Sequence, residues 1–464
     1  MNKKYLLNLA KQKYKNNSLY DNHKLPNSRR DFIKLGLLTA GGYLLPSSIP
    51  FNAFAQTIQK PTIPFLVFDL AGGAGLPANF LVGQKGGPED LCKDYRKHGW
   101  NPRANQALDT TFGVPMSLQN SKLLEGLRST LPEAVLKQKE KKYFQMATIC
   151  NFSLDDTSDN KASALTLVSK AGLVGTYLKT GLGQRPIPPN YLSDNLLEDS
   201  QFVPKLVNNL DDVLKLTSLG RRFLELDKTT KQEIRDKLYF VGKNFPELSQ
   251  AYKDLSQFGD LHLQGDPTKS PEISEAYSLG NLNLQFLSDN ENSILLQAGI
   301  TYNVLQGFTG PGVISIGDCD YHDSTQDTGD YKDLEIGEAI GRAVAAAHFL
   351  KKPLFFQIIT DGGVYAPGSD EYDRTWEGDE NMHSLSVMGF YDPSAQISMR
   401  KLQLGHYTEG AEVDIETFVG QKPENMVISV MANYLYLNGL HNEFEKLTGI
   451  RMRASEIDDL LVFA

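Results

Sequence analysis

Cysteine is scarce in this chain of 464 residues. Cys92, Cys150 and Cys319 form an odd set that allows at most one internal bridge, which excludes a disulfide-held scaffold. Cys150 ends the apolar run of residues 144–150 and reads as a small buried hydrophobe. The apolar stretch at residues 35–45 contains Gly36, Gly41 and Gly42 and stops at Pro46, so it is too short and too weakly hydrophobic for a permanent membrane anchor. The sequence has no Gly-x-x-x-x-Gly-Lys phosphate loop, no His-Glu-x-x-His, no Gly-x-Ser-x-Gly elbow and no Cys-x-x-Cys, which removes the reaction classes those motifs serve. It has no internal repeat and no low-complexity tract.

What is present begins at the amino end. Ser28-Arg29-Arg30-Asp31-Phe32-Ile33-Lys34 precedes the apolar stretch, and the small-residue site Ala53-Phe54-Ala55 follows it, in the order of a twin-arginine export signal. This predicts that residues 1–55 are a signal peptide cleaved after Ala55. The expected partners are the twin-arginine export machinery and a signal peptidase, and the expected location is periplasmic or secreted. No cysteine follows the apolar stretch, which argues against lipid attachment, and no stable membrane anchor should remain after processing. Cargo on this route crosses already folded, which suits proteins that take up a metal or a partner beforehand. Without residues 1–55 the chain keeps 38 basic and 54 acidic residues, a net charge of −16. Such a body repels nucleic acid and anionic lipid.

The mature part is long enough for one large domain with an insertion or for two domains. Residues 63–68 form a nearly continuous apolar run that meets Asp69 and then Gly72-Gly73, the pattern of a strand buried on both faces followed by a tight loop. Similar runs recur at 144–150, 313–316, 353–359 and 385–388. Between them lie helical patterns, the clearest at 334–350, where Ile336, Ile340, Val344 and Ala347 share a face and Asp330 is placed to cap the start. Together these predict an α/β fold with a mostly parallel central sheet and helices on both faces. Residues 203–310, with helical patterns at 216–223, 230–245 and 291–305 and almost no strand signal, read as a helical insertion or cap. It separates a first part of the α/β domain, 56–202, from a second, 311–464.

In such a fold, ligands meet the loops at the carboxyl ends of the strands. Asp318-Cys319-Asp320-Tyr321-His322-Asp323 follows one apolar run directly. If the chain stays extended there, Asp318, Asp320 and His322 project from one side and Cys319 from the other. Carboxylates with an imidazole suit a metal acting on an oxyanion, although an Asp-rich strand end also solvates a turn and caps the next helix. Asp361, followed by Gly362-Gly363, ends another run and serves equally as a ligand or as a turn residue. The long acidic and aromatic loop 364–382, with Tyr365, Tyr372, Trp376 and Glu377, leads to His383, a third candidate; a lone histidine is more often a packed side chain than a ligand. After the 144–150 run, Thr157 and Ser158 offer hydroxyls that a metal can activate, while Ser158 or Asp159 also fits as the cap of a helical pattern over 162–178. His98, His262, His348 and His441 sit alone in polar or helical contexts, and His406 is ambiguous.

The order of these pieces resembles the exported bacterial family known as domain of unknown function 1501, itself related to the alkaline phosphatase and sulfatase superfamily. Leu66-Val67-Phe68-Asp69-Leu70-Ala71-Gly72-Gly73-Ala74-Gly75-Leu76 is similar to that family's opening strand and Gly-Gly-Ala-Asp-Gly-Leu turn, with the turn Asp absent. Ser158-Asp159 stands where the family shows Ser-His, and Gly172-Leu173-Val174-Gly175-Thr176-Tyr177-Leu178 resembles its Gly-Trp-Leu-Gly helix. Asp320-Tyr321-His322 is similar to its Trp-Asp-x-His segment, Thr360-Asp361-Gly362-Gly363 takes the place of its Ser-Glu-Phe-Gly-Arg, and Asn381-Met382-His383-Ser384 resembles its Asp-His-Gly element.

The resemblance implies an alkaline phosphatase-like fold and a hydrolase of phosphate or sulfate esters. A divalent metal, zinc, manganese or calcium, would be held by Asp69, Asp318, Asp320, His322, Asp361 and His383, with Ser158 or Thr157 as the attacking or positioning hydroxyl. Asp69 stands in for the missing turn carboxylate. The missing groups leave a second expectation open, a non-catalytic periplasmic binding or assembly protein with a degraded site. Fold alone does not choose between the two.

Overall fold

Five apolar segments become strands because nearly every side chain in them is enclosed on both faces of one sheet. These are β1 (Phe65–Leu70), β4 (Phe144–Ile149), β7 (Gly312–Ile316), β8 (Leu354–Thr360) and β11 (Ser386–Tyr391), each buried along its whole length. Shorter strands complete the set: β2 (Leu108–Asp109), β3 (Met116–Ser117), β5 (Leu178–Thr180), β6 (Lys205–Val207), β9 (Gly363–Tyr365), β10 (Glu377–Glu380) and β12 (Gln403–Leu404). The computed structural model describes residues 63–83, 90–92, 95–98, 108–153, 164, 168, 178–180, 205–217, 266–283, 286–307, 309–319, 321, 326–360, 362–366 and 376–464. All of these fall in one compact unit, Ser48–Ala464. The signal peptide expected at residues 1–55 lies outside them.

The main sheet has eight strands in the order β12-β4-β11-β8-β1-β7-β5-β6. β1 lies at its centre, parallel to β7 and β8, with Asp69 opposite both Ser315 and Ile359. β11 alone runs against its neighbours, antiparallel to β8 and to β4. The protein is therefore α/β with a mostly parallel, mixed sheet. Small antiparallel pairs, β2 with β3 and β9 with β10, stand apart from it.

Alternation along β1 sends Leu66, Phe68 and Leu70 to one face and Phe65 and Val67 to the other, and each face has its own core. The first core packs under helices α1 (Leu76–Asn79), α2 (Lys122–Thr130), α3 (Pro271–Tyr277), α4 (Asp289–Gln306) and α5 (Gln326–Leu350). The second packs under α6 (Pro423–Leu437) and the carboxyl-terminal residues Leu460–Phe463. There Phe65 stacks on Tyr434 at 5.2 Å and meets Phe355 edge-on at 5.2 Å. Such aromatic pairs contribute about 0.5–1.5 kcal/mol each beyond area burial. Helices α2 and α5 cross where Gly126 faces the backbone of Leu334 and Glu338, and Gly337 faces that of Leu123; a Cβ at either glycine would overlap the opposite main chain.

Helix α4 starts two residues before the 291–305 pattern, under a capping box in which the Ser288 hydroxyl accepts from the Glu291 amide and the Glu291 carboxylate accepts from the Ser288 amide. Helix α5 buries Ile336, Ile340, Val344 and Ala347 as its periodicity required, but it begins at Gln326, so Asp330 lies inside it and is not its cap. Its first turns are largely polar, and no apolar period marks them. Within residues 203–310, β6 forms an edge strand of the main sheet and α4 packs against α5 and β7. Three residues of strand are too short to show alternation in the sequence. Leu178, at the end of a helical pattern, instead opens β5.

Candidate functional site

The polarity of the strands decides which loops meet. β4, β8, β1 and β7 point the same way and β11 the opposite way. The segments that follow β1, β4, β7 and β8 and the segment that precedes β11 therefore share one rim of the sheet. In sequence, every residue expected in the site belongs to one of those five segments, except Asp69, the penultimate residue of β1.

Main-chain and hydroxyl bonds stitch this rim together. The Ala71 amide donates to the Ile316 carbonyl at 2.9 Å, and the Cys319 amide donates back to the Ala71 carbonyl at 3.0 Å, joining the loops after β1 and β7. Thr360, the last residue of β8, donates its hydroxyl to the Gly72 carbonyl at 3.2 Å and accepts from the Ala74 amide at 2.9 Å. Gly72 makes the turn possible at φ +85°, where a side chain would be strained. Beyond β8, Gly363 lies so close to the His383 carbonyl that a Cβ would overlap it. On the far side the Ser153 amide, just past β4, donates to the Asn381 carbonyl at 3.1 Å. The segment that leads to Thr157 and Ser158 thus starts beside the turn that carries His383.

Asp69 is 7% exposed, on the same face as Val67, opposite Ser315 and Ile359. Asp318 is exposed and adopts φ +57°, a left-handed conformation that Asp tolerates better than most residues. This overturns the expectation of an extended chain there: the backbone turns at Asp318 so that the Cys319 amide reaches Ala71. Cys319 is buried with its thiol toward the Ile316 carbonyl at 3.4 Å, packed rather than presented as a ligand. All three cysteines are buried, and none forms a disulfide. Asp320, His322, Asp361, Thr157 and Ser158 lie outside the described residues.

His383 ends a short 3-10 turn, Asn381–His383, and is 5% exposed. Its ring lies 4.5 Å from that of Tyr365 and 6.0 Å from that of His98, the latter nearly edge-on at 70°. Burial, reinforced by His98 and Lys97, pushes its pKa down to about 3, so the imidazole is neutral at any working pH. Neutral imidazole is the form that donates to a metal. Among the described residues no three His, Cys, Asp or Glu side chains gather closely enough to share an ion. Asp69, Asp318 and His383 fit one chemically as oxygen and nitrogen donors, and a full ligand set requires the candidates outside the described residues.

His98 is the residue that sequence reasoning placed wrongly. Far from sitting alone in a polar context, it is 1% exposed, with Nε2 2.8 Å from the Ala411 carbonyl and its ring 4.5 Å from that of Tyr407. Its neighbours Arg96 and Lys97 disguise it, and no periodic signal reveals a single 3-10 turn. His406 pairs with Asp414 at 2.9 Å, and His348 bonds the Tyr391 hydroxyl at 2.9 Å, so both have local structural partners.

A second polar group sits beneath the β7 loop. Asp333, on α5, accepts at one carboxylate oxygen from the Asn79 amide at 2.7 Å and from the Tyr321 hydroxyl at 2.8 Å. Asn79 in turn accepts from the Ser121 hydroxyl at 2.9 Å and from the Leu123 amide at 3.1 Å, at the start of α2. Burial pushes the Asp333 carboxyl up to about 7, against the lowering effect of those two donors. Compared with known protein families, characterised proteins and solved structures, the chain matches none.

Proposed function

We propose that the mature chain is an exported, metal-dependent hydrolase of phosphate or sulfate esters built on an alkaline phosphatase-like sheet. The observation that carries this reading is the shared rim, where five segments distant in sequence converge through the bonds at Ala71, Thr360 and Ser153 and the close approach of Gly363 to the His383 carbonyl. In this reading Asp69, Asp318, Asp320, His322, Asp361 and His383 hold a zinc, manganese or calcium ion. Ser158 or Thr157 is the attacking or positioning hydroxyl. A bound divalent ion would supply polarisation of the ester oxygen and a lowered pKa for that hydroxyl. The protein itself contributes an imidazole kept neutral by burial, one buried and one exposed carboxylate, and a Gly72 turn fastened to β8 by the Thr360 hydroxyl. The mature charge of −16 argues against nucleic acid as a substrate.

One observation favours the other reading, a non-catalytic periplasmic binding or assembly protein. His383 is closed in by Tyr365 and His98 and almost without solvent contact. Metal analysis of the purified mature chain by inductively coupled plasma mass spectrometry, with p-nitrophenyl phosphate and p-nitrophenyl sulfate assays, separates the two. The hydrolase predicts roughly one metal per chain, lost in His383→Ala together with turnover, which falls by about 100-fold or more. A metal-free chain that turns over neither ester leaves the binding role.

A further inference from the structure

Tyr321, in the loop after β7, is 1% exposed. Its ring fits a slot between two glycines. A Cβ at Gly75 would lie 2.7 Å from the phenolic oxygen, and one at Gly329, within α5, would overlap the ring itself. The Trp376 ring covers it at 4.9 Å. With Val364, Ala366 and Trp376 it forms a small apolar cluster separate from both cores, reaching from the β7 loop to β9, next to Gly363 and the His383 turn. Its hydroxyl ends on Asp333, whose other carboxylate oxygen is buried with no hydrogen-bond partner among the described residues.

Three locally unfavourable choices therefore meet at one loop. Gly329 gives up helix stability relative to alanine. A buried carboxyl with an unsatisfied oxygen is destabilising where an apolar side chain would not be. Asp318 takes a left-handed backbone. Such choices cluster where function constrains the chain. We infer that Tyr321 and Asp333 are positioning residues of the proposed site, locking the Asp318 loop to the Gly75 turn, to α5 and, through Trp376, to the strand beside His383. The role rests on the hydrolase reading; the locking does not.

Tyr321→Phe keeps the ring in its slot and removes the hydroxyl, Asp333→Leu removes the acceptor, and Asp333→Asn keeps an acceptor oxygen. In the full mature protein, kcat and KM for the two p-nitrophenyl esters, melting temperature and hydrogen exchange at the Cys319 and Tyr321 amides are measured together. Tyr321→Phe and Asp333→Leu should lower kcat roughly 10–100-fold with KM little changed. Exchange at the two amides should quicken, the melting temperature should not fall in proportion, and Asp333→Asn should restore most of kcat. A loss of kcat that only tracks loss of folded protein, or unchanged exchange in Tyr321→Phe, overturns the inference. If the wild-type chain hydrolyses neither ester, the hydrolase reading fails and the positioning role with it. Exchange in Tyr321→Phe then still decides whether this hydroxyl locks the loop.

Discussion

At the scale of single residues, two buried ionisable groups pull the pH dependence of stability in opposite directions. Asp333 has a folded pKa of about 7, above the ordinary carboxyl value of 3.8. Between those values the unfolded chain has lost a proton that the folded chain keeps, so stability falls as pH rises from about 4 to 7. His383, at about 3, holds fewer protons folded than unfolded, so its contribution grows as pH rises from about 3 to 6.5. The wild-type curve blends the two, and a variant separates them. Asp333→Asn, compared with wild type by chemical denaturation across pH 4–8, should gain relative stability with pH by at most about 1.4 kcal/mol per unit and level off above 7. A difference that stays flat with pH would mean that the carboxyl is already ionised in the folded protein. Neither group was legible in the sequence as a site of this kind. The bond between Asp333 and Asn79 spans 254 residues, and no periodicity records a contact of that reach. His98 was missed for the related reason that its buried ring follows two cations. His383 stood out because a long loop ended on it and because residues 381–384 resemble the Asp-His-Gly element of the domain of unknown function 1501 family.

At the scale of elements, legibility follows burial. Strands enclosed on both faces, such as β1 and β8, read directly as apolar runs, whereas β5 and β6, only three residues each, left no pattern. The same logic explains α5, whose enclosed face was visible and whose polar first turns were not. The crossing of α5 over α2 was hidden because glycine carries no hydrophobic signal. It also makes a sharp prediction. Gly337→Ala should destabilise the protein by about 1–3 kcal/mol despite alanine's better helix propensity, because the added methyl meets the Leu123 carbonyl. Thermal melts of Gly337→Ala beside an exposed helical control settle the matter, and a stabilised variant would show that the two helices separate without penalty.

At the scale of the whole molecule, the paired arginines at the amino end predict a protein that folds first and crosses a membrane afterwards. With Arg29→Lys and Arg30→Lys together, precursor should accumulate in the cytoplasm and the shortened form should vanish from immunoblots of the periplasm. Normal processing of that double variant would overturn the twin-arginine address while leaving the rim chemistry untouched. The convergence of the rim was foreseeable from strands and loops in sequence; its closing bonds, made by backbone and by Thr360, were not.

The single reversed strand has one further consequence. Because β11 runs against β8, the chain departs from and returns to adjacent strands on the same side, with Val387 registered opposite Ile358. The intervening stretch is a closed detour pinned at Tyr365 opposite Glu377. Doubling such a detour alters its closure entropy by only about 0.6 kcal/mol. Changes of length and composition between Ala366 and Trp376 should therefore leave in place the frame on which His383 is mounted.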